Sequence, residues 1–379
     1  MNKGPLSGYR VIELAGLGPN PMAGMLLADL GADVVVVDRG KDTSDKRFKD
    51  VSFRGKRSVI LNLKDPQDLD VLLAMVEKAD VLTEGFRPGV AERLGFGSDV
   101  CLARNPRLVY ARMTGWGQTG PLAHTAGHDI NYISLTGSLH AIGLAGEKPV
   151  PPLNLIDDMG GGGMVQVAGI LAALLECQKS GKGQVIDAAM TDGSALLMWM
   201  AHSDHAMNNW DPANRGVNWL DGGAPYYDVY ETADGKYVSI GAIEPQFYAL
   251  LMGMTGVDKQ KFTALKEDKS QWPALKNELQ LVFKSKTQAQ WRDLMEGTDV
   301  CFAPVLSFAE APKHPHNLAR QTYIDVDGVV QPAPAPRFSR TPAQIRHGAR
   351  QAGFEAEVVL REYGISEQTI SRIMTTSKR

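Results

Sequence analysis

Ala32 to Asp38 reads Ala-Asp-Val-Val-Val-Val-Asp, and its four consecutive valines, Val34 to Val37, decide the fold. An unbroken apolar β-branched run suits a strand buried on both faces, as in parallel sheets. Just upstream, Arg10-Val-Ile-Glu-Leu14 reads as a second strand. Pro21 through Leu30 reads as the helix between the two, with proline in its first turn and Gly31 near its end. Downstream, Ser58 to Asn62 is another strand candidate. Asp65 and Pro66 then open a helix to about Lys78, as N-cap and first helical residue. Asp80 to Thr83 and Leu108 to Met113 repeat the strand pattern. Strands alternating with helices imply parallel pairing, and so an α/β fold built on a doubly wound sheet.

In such sheets ligands bind beyond the carboxyl ends of the strands. Those ends carry Ala15 to Asn20, Asp38-Arg39, Glu84-Gly-Phe-Arg87 and Thr114 to Pro121, all rich in glycine, arginine or aromatic residues. Farther along, a helix runs from about Met164 to Lys179, and the polar stretch Met200 to Gly223 reads as a connection. Tyr226 to Glu231 and Lys236 to Gly241 flank Ala233-Asp-Gly235, a hairpin signal. Amphipathic helical stretches follow to about Glu296, then a proline-rich return over Pro304 to Pro342, then helix again over Glu355 to Met374. The expected organisation is a large domain over 1–190, a linker over 191–225 and a small α+β domain over 226–315. A return linker over 316–335 leads to a C-terminal part of the large domain over 336–379.

Composition narrows the function. The 379 residues are 44% hydrophobic and 22% charged, with net charge −3. A nucleic-acid binder would carry a basic footprint, and nothing here calls for a membrane surface. Cys101, Cys177 and Cys301 lie far apart without CxxC spacing, which suggests buried thiols in a reducing compartment. His202 with His205, and His314 with His316, have loosely ligand-like spacing but no supporting motif, so they are read as surface residues and no metal is expected. The first apolar run, Tyr9 to Leu14, is too short and broken for a signal peptide. The last three residues, Ser377-Lys378-Arg379, approach a peroxisomal tripeptide but miss its final leucine. A cytoplasmic enzyme is the expectation.

Some residues carry possible chemistry. Gly16-Leu-Gly18 with Asp38 is a partial dinucleotide fingerprint, but Pro21 occupies the place of its third glycine. Arg39 would suit a phosphate on an adenosine ribose, or be a solvated arginine at a strand end. His128, in Gly-His-Asp-Ile, is a candidate base or a capping residue. Asp158 ends an apolar approach, follows Asp157 and precedes Gly160 to Gly163. At a helix amino terminus it would stand beside free N–H groups able to hold an oxyanion, or simply act as an N-cap. Glu244, before Pro245, reads most simply as a helix start. Pattern alone does not bring these three together.

Nearly the whole chain resembles the family III CoA transferase and racemase superfamily, and within it the α-methylacyl-CoA racemases, the extreme carboxyl terminus being the least distinctive part. The resemblance rests on Pro5 to Ala15, Met25 to Asp33, Glu84-Gly-Phe-Arg-Pro-Gly-Val90, Arg112-Met-Thr-Gly-Trp-Gly-Gln-Thr-Gly-Pro121, Gly181 to Ala189, Asp221 to Tyr227 and Pro334 to Arg340. It implies an interlocked homodimer. Each chain would have a Rossmann-like large domain and a smaller domain, with the active site between the large domain of one subunit and the small domain of the other. Carried over residue by residue, it implies catalysis by His128, Asp158 and Glu244. It implies CoA contacts at Arg39, at Leu61, Asn62, Leu63 and Lys64, at Arg87 and Arg93, and along Gly127, Asp129, Ile130, Asn131 and Tyr132. The implied reaction interconverts 2-methylacyl-CoA epimers by moving one proton, with His128 on one face and Asp158 on the other. CoA arrives as part of the substrate and no other cofactor is required. The alternatives are a CoA transferase using Asp158 as the acyl-accepting nucleophile, an NADP-dependent dehydrogenase, and a non-catalytic acyl-CoA binding protein.

Overall fold

The structure, a computed structural model, describes residues 4–40 and 45–376. The terminal tripeptide Ser377 to Arg379 lies outside the described residues. Six strands, β1 (Arg10–Leu14), β2 (Asp33–Asp38), β3 (Arg57–Ile60), β4 (Val81–Glu84), β5 (Val109–Thr114) and β6 (Gln184–Ala189), form one sheet in the order β3-β2-β1-β4-β5-β6. Every pairing in it is parallel. This is the Rossmann order, and the direction of strand progression reverses between β1 and β4.

The valine run pairs with β1 on one side and β3 on the other, with Val34 opposite Val11 and Val35 opposite Arg57. Alternate residues feed two separate cores. Ile12, Leu14, Val35 and Val37 pack with Leu72, Met75, Val359, Leu360 and Ile373. Val11 and Val34 pack with Ala23, Leu27 and Ile170 on the opposite face. The helices Ala356–Glu362 and Glu367–Thr376 therefore help to close one face of this sheet. Helix Pro66–Val76 starts as its sequence dictates, with the Asp65 carboxylate accepting the Gln67 N–H at 2.8 Å.

The chain divides into two compact units. One comprises Gly137–Pro152 and Met198–Ala319, and the other holds the parallel sheet and the remaining described residues. In the smaller unit, β7 (Tyr227–Glu231), β8 (Tyr237–Gly241) and β9 (Phe302–Pro304) form an antiparallel sheet in that order. The Asp-Gly turn closes β7 to β8, with Gly235 at φ 72°, where only glycine is unstrained. Tyr230, Val238 and Ile240 pack on Leu251, Leu279, Phe283 and Trp291 beneath it.

Three boundaries depart from the sequence reading. Residues 137–152, assigned to the large domain, belong with the smaller unit, where Arg215 donates to the carbonyls of His140 (2.7 Å) and Glu147 (2.5 Å). The expected linker 191–225 is largely ordered. Helix Met190–Leu197 packs with the sheet-bearing unit, while Trp219 donates to Asp204 at 2.8 Å in the other. The return linker contains a hairpin, β10 (Tyr323–Val326) and β11 (Val329–Pro332), tied down by Arg54 through the Gln331 side chain (3.0 Å) and the Pro332 carbonyl (2.7 Å). Cys101 and Cys177 are buried free thiols, whereas Cys301 is exposed. His314 is no simple surface residue, for its ring meets the Glu296 carboxylate at 2.6 Å. No group of His, Cys, Asp and Glu suited to a metal occurs among the described residues.

Candidate active site

At the reversal point, beyond the carboxyl ends of β1, β4 and β5, lies a cavity of about 250 Å³. Its walls are Leu17 to Asn20 after β1, Gly85 to Pro88 after β4, and Thr114 to Trp116 after β5. Gly127, His128 and Tyr132 close it. Glycines make this wall possible. A Cβ on Gly115 would stand 2.0 Å from the Tyr132 ring, and one on Gly127 2.6 Å from it. Tyr132 meets Trp116 edge-on, with centroids 4.7 Å apart.

A second cavity, about 420 Å³, is lined by Arg39, Leu61, Asn62, Leu63, Lys64 and Arg93, and shares Phe86 with the first. The Arg39 guanidinium lies over the Phe86 ring at 5.3 Å. Six of the expected CoA contacts thus surround one cavity, and Arg87, Gly127 and Tyr132 line the other. Arg39, Lys64, Arg87 and Arg93 are all exposed cations. The dinucleotide alternative loses its ribose ligand, because Asp38 is held in a buried bidentate pair with Arg47 at 3.0 and 2.9 Å.

Asp129, Ile130 and Asn131 line neither cavity. Asn131 accepts the His128 N–H at 3.0 Å and returns its own N–H to the His128 carbonyl at 2.7 Å, which sets His128 at the start of helix Asp129–Leu135. Ile130 is exposed. The His128 side chain is exposed beside the cavity. Buried Asp129 reaches across to the next element, where its Oδ2 accepts the N–H groups of Asp157 (2.8 Å) and Asp158 (2.9 Å).

That element corrects the sequence reading. Asp158 does not begin an α-helix. It lies within a π-helix, Leu155–Met164, that continues into helix Val165–Ser180. The N–H of Met159 accordingly bonds the Asn154 carbonyl five residues back, at 3.3 Å. π-Helical turns often mark functional sites. The N–H groups of Asp157 and Asp158, expected to be free for an oxyanion, are taken by Asp129. The glycines serve close packing: a Cβ on Gly161 would lie 2.6 Å from the Ser194 nitrogen, and one on Gly162 2.9 Å from the Pro19 side chain.

The Asp158 carboxyl is half-buried, and Oδ2 accepts from the Asn154 side chain at 3.0 Å. Burial raises its pKa, Asn154 eases the shift, the charge of Asp129 adds to it, and His128 opposes it. His128 and Asp158 thus lie near one another within the sheet-bearing unit. Asp157 is fully buried and pushed up to about 7, mainly by burial, with Asp129 and Asp158 adding to the shift and the nearby Ser194 hydroxyl opposing it. Glu244 stands in the smaller unit, exposed, at the start of helix Pro245–Thr255, and makes no side-chain cap.

Two positions escaped the sequence reading. Asn154 sits four residues before Asp158, a spacing that places both on one helical face. Glu84, buried at the end of β4, accepts the Phe86 N–H at 2.7 Å and faces Arg112 at 3.8 Å, which fixes the start of the loop shared by both cavities. Burial lifts its pKa to about 7.

The chain matches the family model "CoA-transferase family III" over residues 6–355. It is 46% identical to the alpha-methylacyl-CoA racemase of Mus musculus, over 97% of this chain and 96% of that protein. It is 44% identical to the alpha-methylacyl-CoA racemase of Homo sapiens over the same shares. A solved structure of a CAIB/BAIF family protein from Brucella suis superposes with a TM-score of 0.82 at 24% identity, covering 95% of this chain and all of that one, and so supports the fold. With a parallel sheet in Rossmann order, a cavity at its reversal point and a family match spanning nearly every described element, this chain belongs to CoA-transferase family III.

Proposed function

We propose that this chain is an isomerase that interconverts (2R)- and (2S)-2-methylacyl-CoA thioesters by a 1,1-proton transfer. One observation carries the reading most: the His128 side chain opens onto a cavity that adjoins a cation-lined one, and Asp158, whose proton affinity burial raises, lies near enough for a charge on His128 to oppose that rise. Its two racemase relatives, similar over nearly the whole chain, favour the same chemistry.

The hydrogen next to a thioester is weakly acidic. In one direction the neutral His128 imidazole takes it, the electron pair moves onto the thioester oxygen as an enolate, and protonated Asp158 returns a proton to the opposite face. Product leaves with His128 protonated and Asp158 ionised, the state that serves the other epimer. The raised pKa of Asp158 suits a group that must alternate between acid and base near neutrality. Arg39, Lys64 and Arg93 would hold the phosphates of CoA, which enters with the substrate, so no metal or redox cofactor is needed. Glu244 would orient His128 from the partner subunit of an interlocked homodimer, and the setting is cytoplasmic.

The test is incubation of one pure 2-methylacyl-CoA epimer in D2O, reading configuration and deuterium at the α-carbon. Inversion with one deuterium incorporated is the expected outcome. Trapping of an acyl group on Asp158 by hydroxylamine, with full turnover in His128→Ala, would instead assign acyl transfer. The dimer is tested by co-expressing His128→Ala and Glu244→Ala chains. Partial activity in the mixed dimer is expected, and a fully active monomer rules the arrangement out.

A further inference from the structure

Arg112, buried on β5, lines neither cavity, yet it reaches the walls of both. Its guanidinium lies over the Tyr110 ring at 5.2 Å and spreads its nitrogens toward three segments. Nη1 donates to the Gln118 side chain at 2.8 Å, on the loop after β5. Nη2 donates to the Glu92 carboxylate, and to the Ser98 hydroxyl at 3.2 Å. Nε faces one oxygen of Glu84 at 3.8 Å, and the other oxygen of that carboxylate accepts the Phe86 N–H at 2.7 Å. A planar cation with donors in a fixed fork can hold several segments in a set relation, whereas a lysine's ammonium is a single point of attachment.

What those segments carry gives the cluster its meaning. Gln118 follows Thr114 to Trp116, and Glu84 precedes Gly85 to Pro88, and both stretches wall the smaller cavity. Glu92 lies on the short helix Val90–Leu94, whose Val90, Arg93 and Leu94 wall the cation-lined cavity. A helix of five residues has little stability of its own, so its place depends on what tethers it. Ala91 anchors its inner side in the core beside the sheet. Glu92 anchors it to Arg112, and Gly97 makes room for the Glu92 stem, since a Cβ there would stand 2.9 Å from Glu92 Cγ.

Building on the reading that the cation-lined cavity holds CoA, we infer that Arg112 is a positioning residue for the substrate: through Glu92 on one side and Glu84 and Gln118 on the other, it fixes the spacing between the two cavities. A CoA thioester is then held at both ends, its phosphates by cations that include Arg93 and its α-carbon beside His128. Binding energy from the distant nucleotide serves the reaction only if the two anchor points keep a set separation. A pantetheine thioester lacks the nucleotide, is held at one end, and is indifferent to that separation. Charge alone predicts the opposite behaviour. An acid next to Arg93 in sequence works against phosphate binding, so removing Glu92 for its charge alone would favour CoA.

The experiment follows racemisation of CoA and pantetheine thioesters of one pure 2-methylacyl epimer by the full-length enzyme, in wild type, Glu92→Ala, Glu92→Gln and Arg112→Lys. The Glu92 side chain is 45% exposed, so its replacement leaves the core intact. In Glu92→Ala, kcat/KM for the CoA thioester should fall roughly tenfold, a modest part of what an ångström of misplacement costs. The pantetheine thioester should hardly change. Glu92→Gln keeps an acceptor for Arg112 without the charge, and should recover most of the loss. Arg112→Lys should show the same selective loss, and a larger one. Equal losses for both thioesters would reduce the cluster to general packing and overturn the inference. A CoA kcat/KM that is unchanged or raised in Glu92→Ala would overturn it as well. Should Arg112→Lys fail to fold, the two Glu92 variants decide. A wild type that treats both thioesters alike would take the nucleotide out of the cation-lined cavity, and one that turns over neither would overturn the racemase reading; this role falls with either.

Discussion

Buried carboxylates in the sheet-bearing unit are treated in two opposite ways. Under the β1–β2–β3 side each has its own cation: Glu13 meets Lys56 at 2.6 Å, Asp29 meets Arg54 at 2.5 Å, and Asp38 meets Arg47 at 2.9 Å. On the π-helix side, Asp129 holds the N–H groups of Asp157 and Asp158, and among the described residues no lysine or arginine forms an ion pair with any of the three. A paired buried charge holds elements in place, because its pairing and hydrogen bonds offset the cost of desolvation. Unpaired acids cannot serve that purpose at neutral pH. Burial raises the proton affinity of Asp157 and Asp158 toward the range in which proton transfer is useful. The contrast lies in the partners: a cation for each acid on one side, N–H groups and an amide on the other.

The largest expected effect breaks the site side. Asp158→Asn preserves shape but can neither take nor give a proton. Racemisation should fall by roughly 10²–10⁴-fold, the usual share of a general acid–base group. One epimer should still exchange its α-hydrogen with D2O through His128. Deuterium at the α-carbon, measured separately for each epimer, checks both parts. Full racemisation by the variant would remove Asp158 from the chemistry.

Next comes the scaffold side. Lys56→Ala leaves Glu13 buried without its partner, and the amine also loses its bond to the Pro21 carbonyl at 2.8 Å. Removing one member of a buried pair costs about 3–5 kcal/mol. Burial already raises Glu13 to about 6 against the pull of Lys56. Without that pull its folded pKa rises further, so the variant's loss should be greater at pH 8 than at pH 5. Denaturant unfolding at the two pH values measures this. Equal losses at both would mean that Glu13 finds another cation.

The smallest expected effect lies at the cation-lined cavity. Arg39 is exposed, stacks on Phe86 and forms no ion pair among the described residues, which leaves its charge available to a phosphate. Arg39→Ala should raise KM for CoA thioesters roughly tenfold, the value of one hydrogen bond to a charged group. Thioesters of pantetheine, which lack the nucleotide, should hardly change. Equal loss for both substrates would take Arg39 out of nucleotide recognition.

Much of this protein is legible in local pattern. The valine run, the short strands around it, the Asp65-Pro66 helix start and the Asp-Gly hairpin each follow from forces acting over a few residues, and each lies within a residue or two of its expected place. Strand β6 escaped, since Gln184 to Asp187 at the sheet edge is largely exposed and carries no continuous apolar run. The loops at the strand ends could be located for the same reason as the strands: chain direction alone says which ends face a ligand. Sequence also supplied the family resemblance, and with it the names of His128, Asp158 and Glu244.

Tertiary structure alone decided the state of those groups. Four glycines in a row announce close approach but not what approaches. Here helices Pro19–Asp29 and Met190–Leu197 do, and the helical segment they crowd takes π-helical form. That packing buries Asp157, while Asp129, 28 and 29 positions away in sequence, occupies the N–H groups of Asp157 and Asp158. Proton affinity depends on solvent, donors and charges within a few ångströms, most of them contributed by distant parts of the chain. Adjacent aspartates read identically in a sequence. Only the folded chain makes one a fully buried acid and the other a half-exposed group that accepts from Asn154.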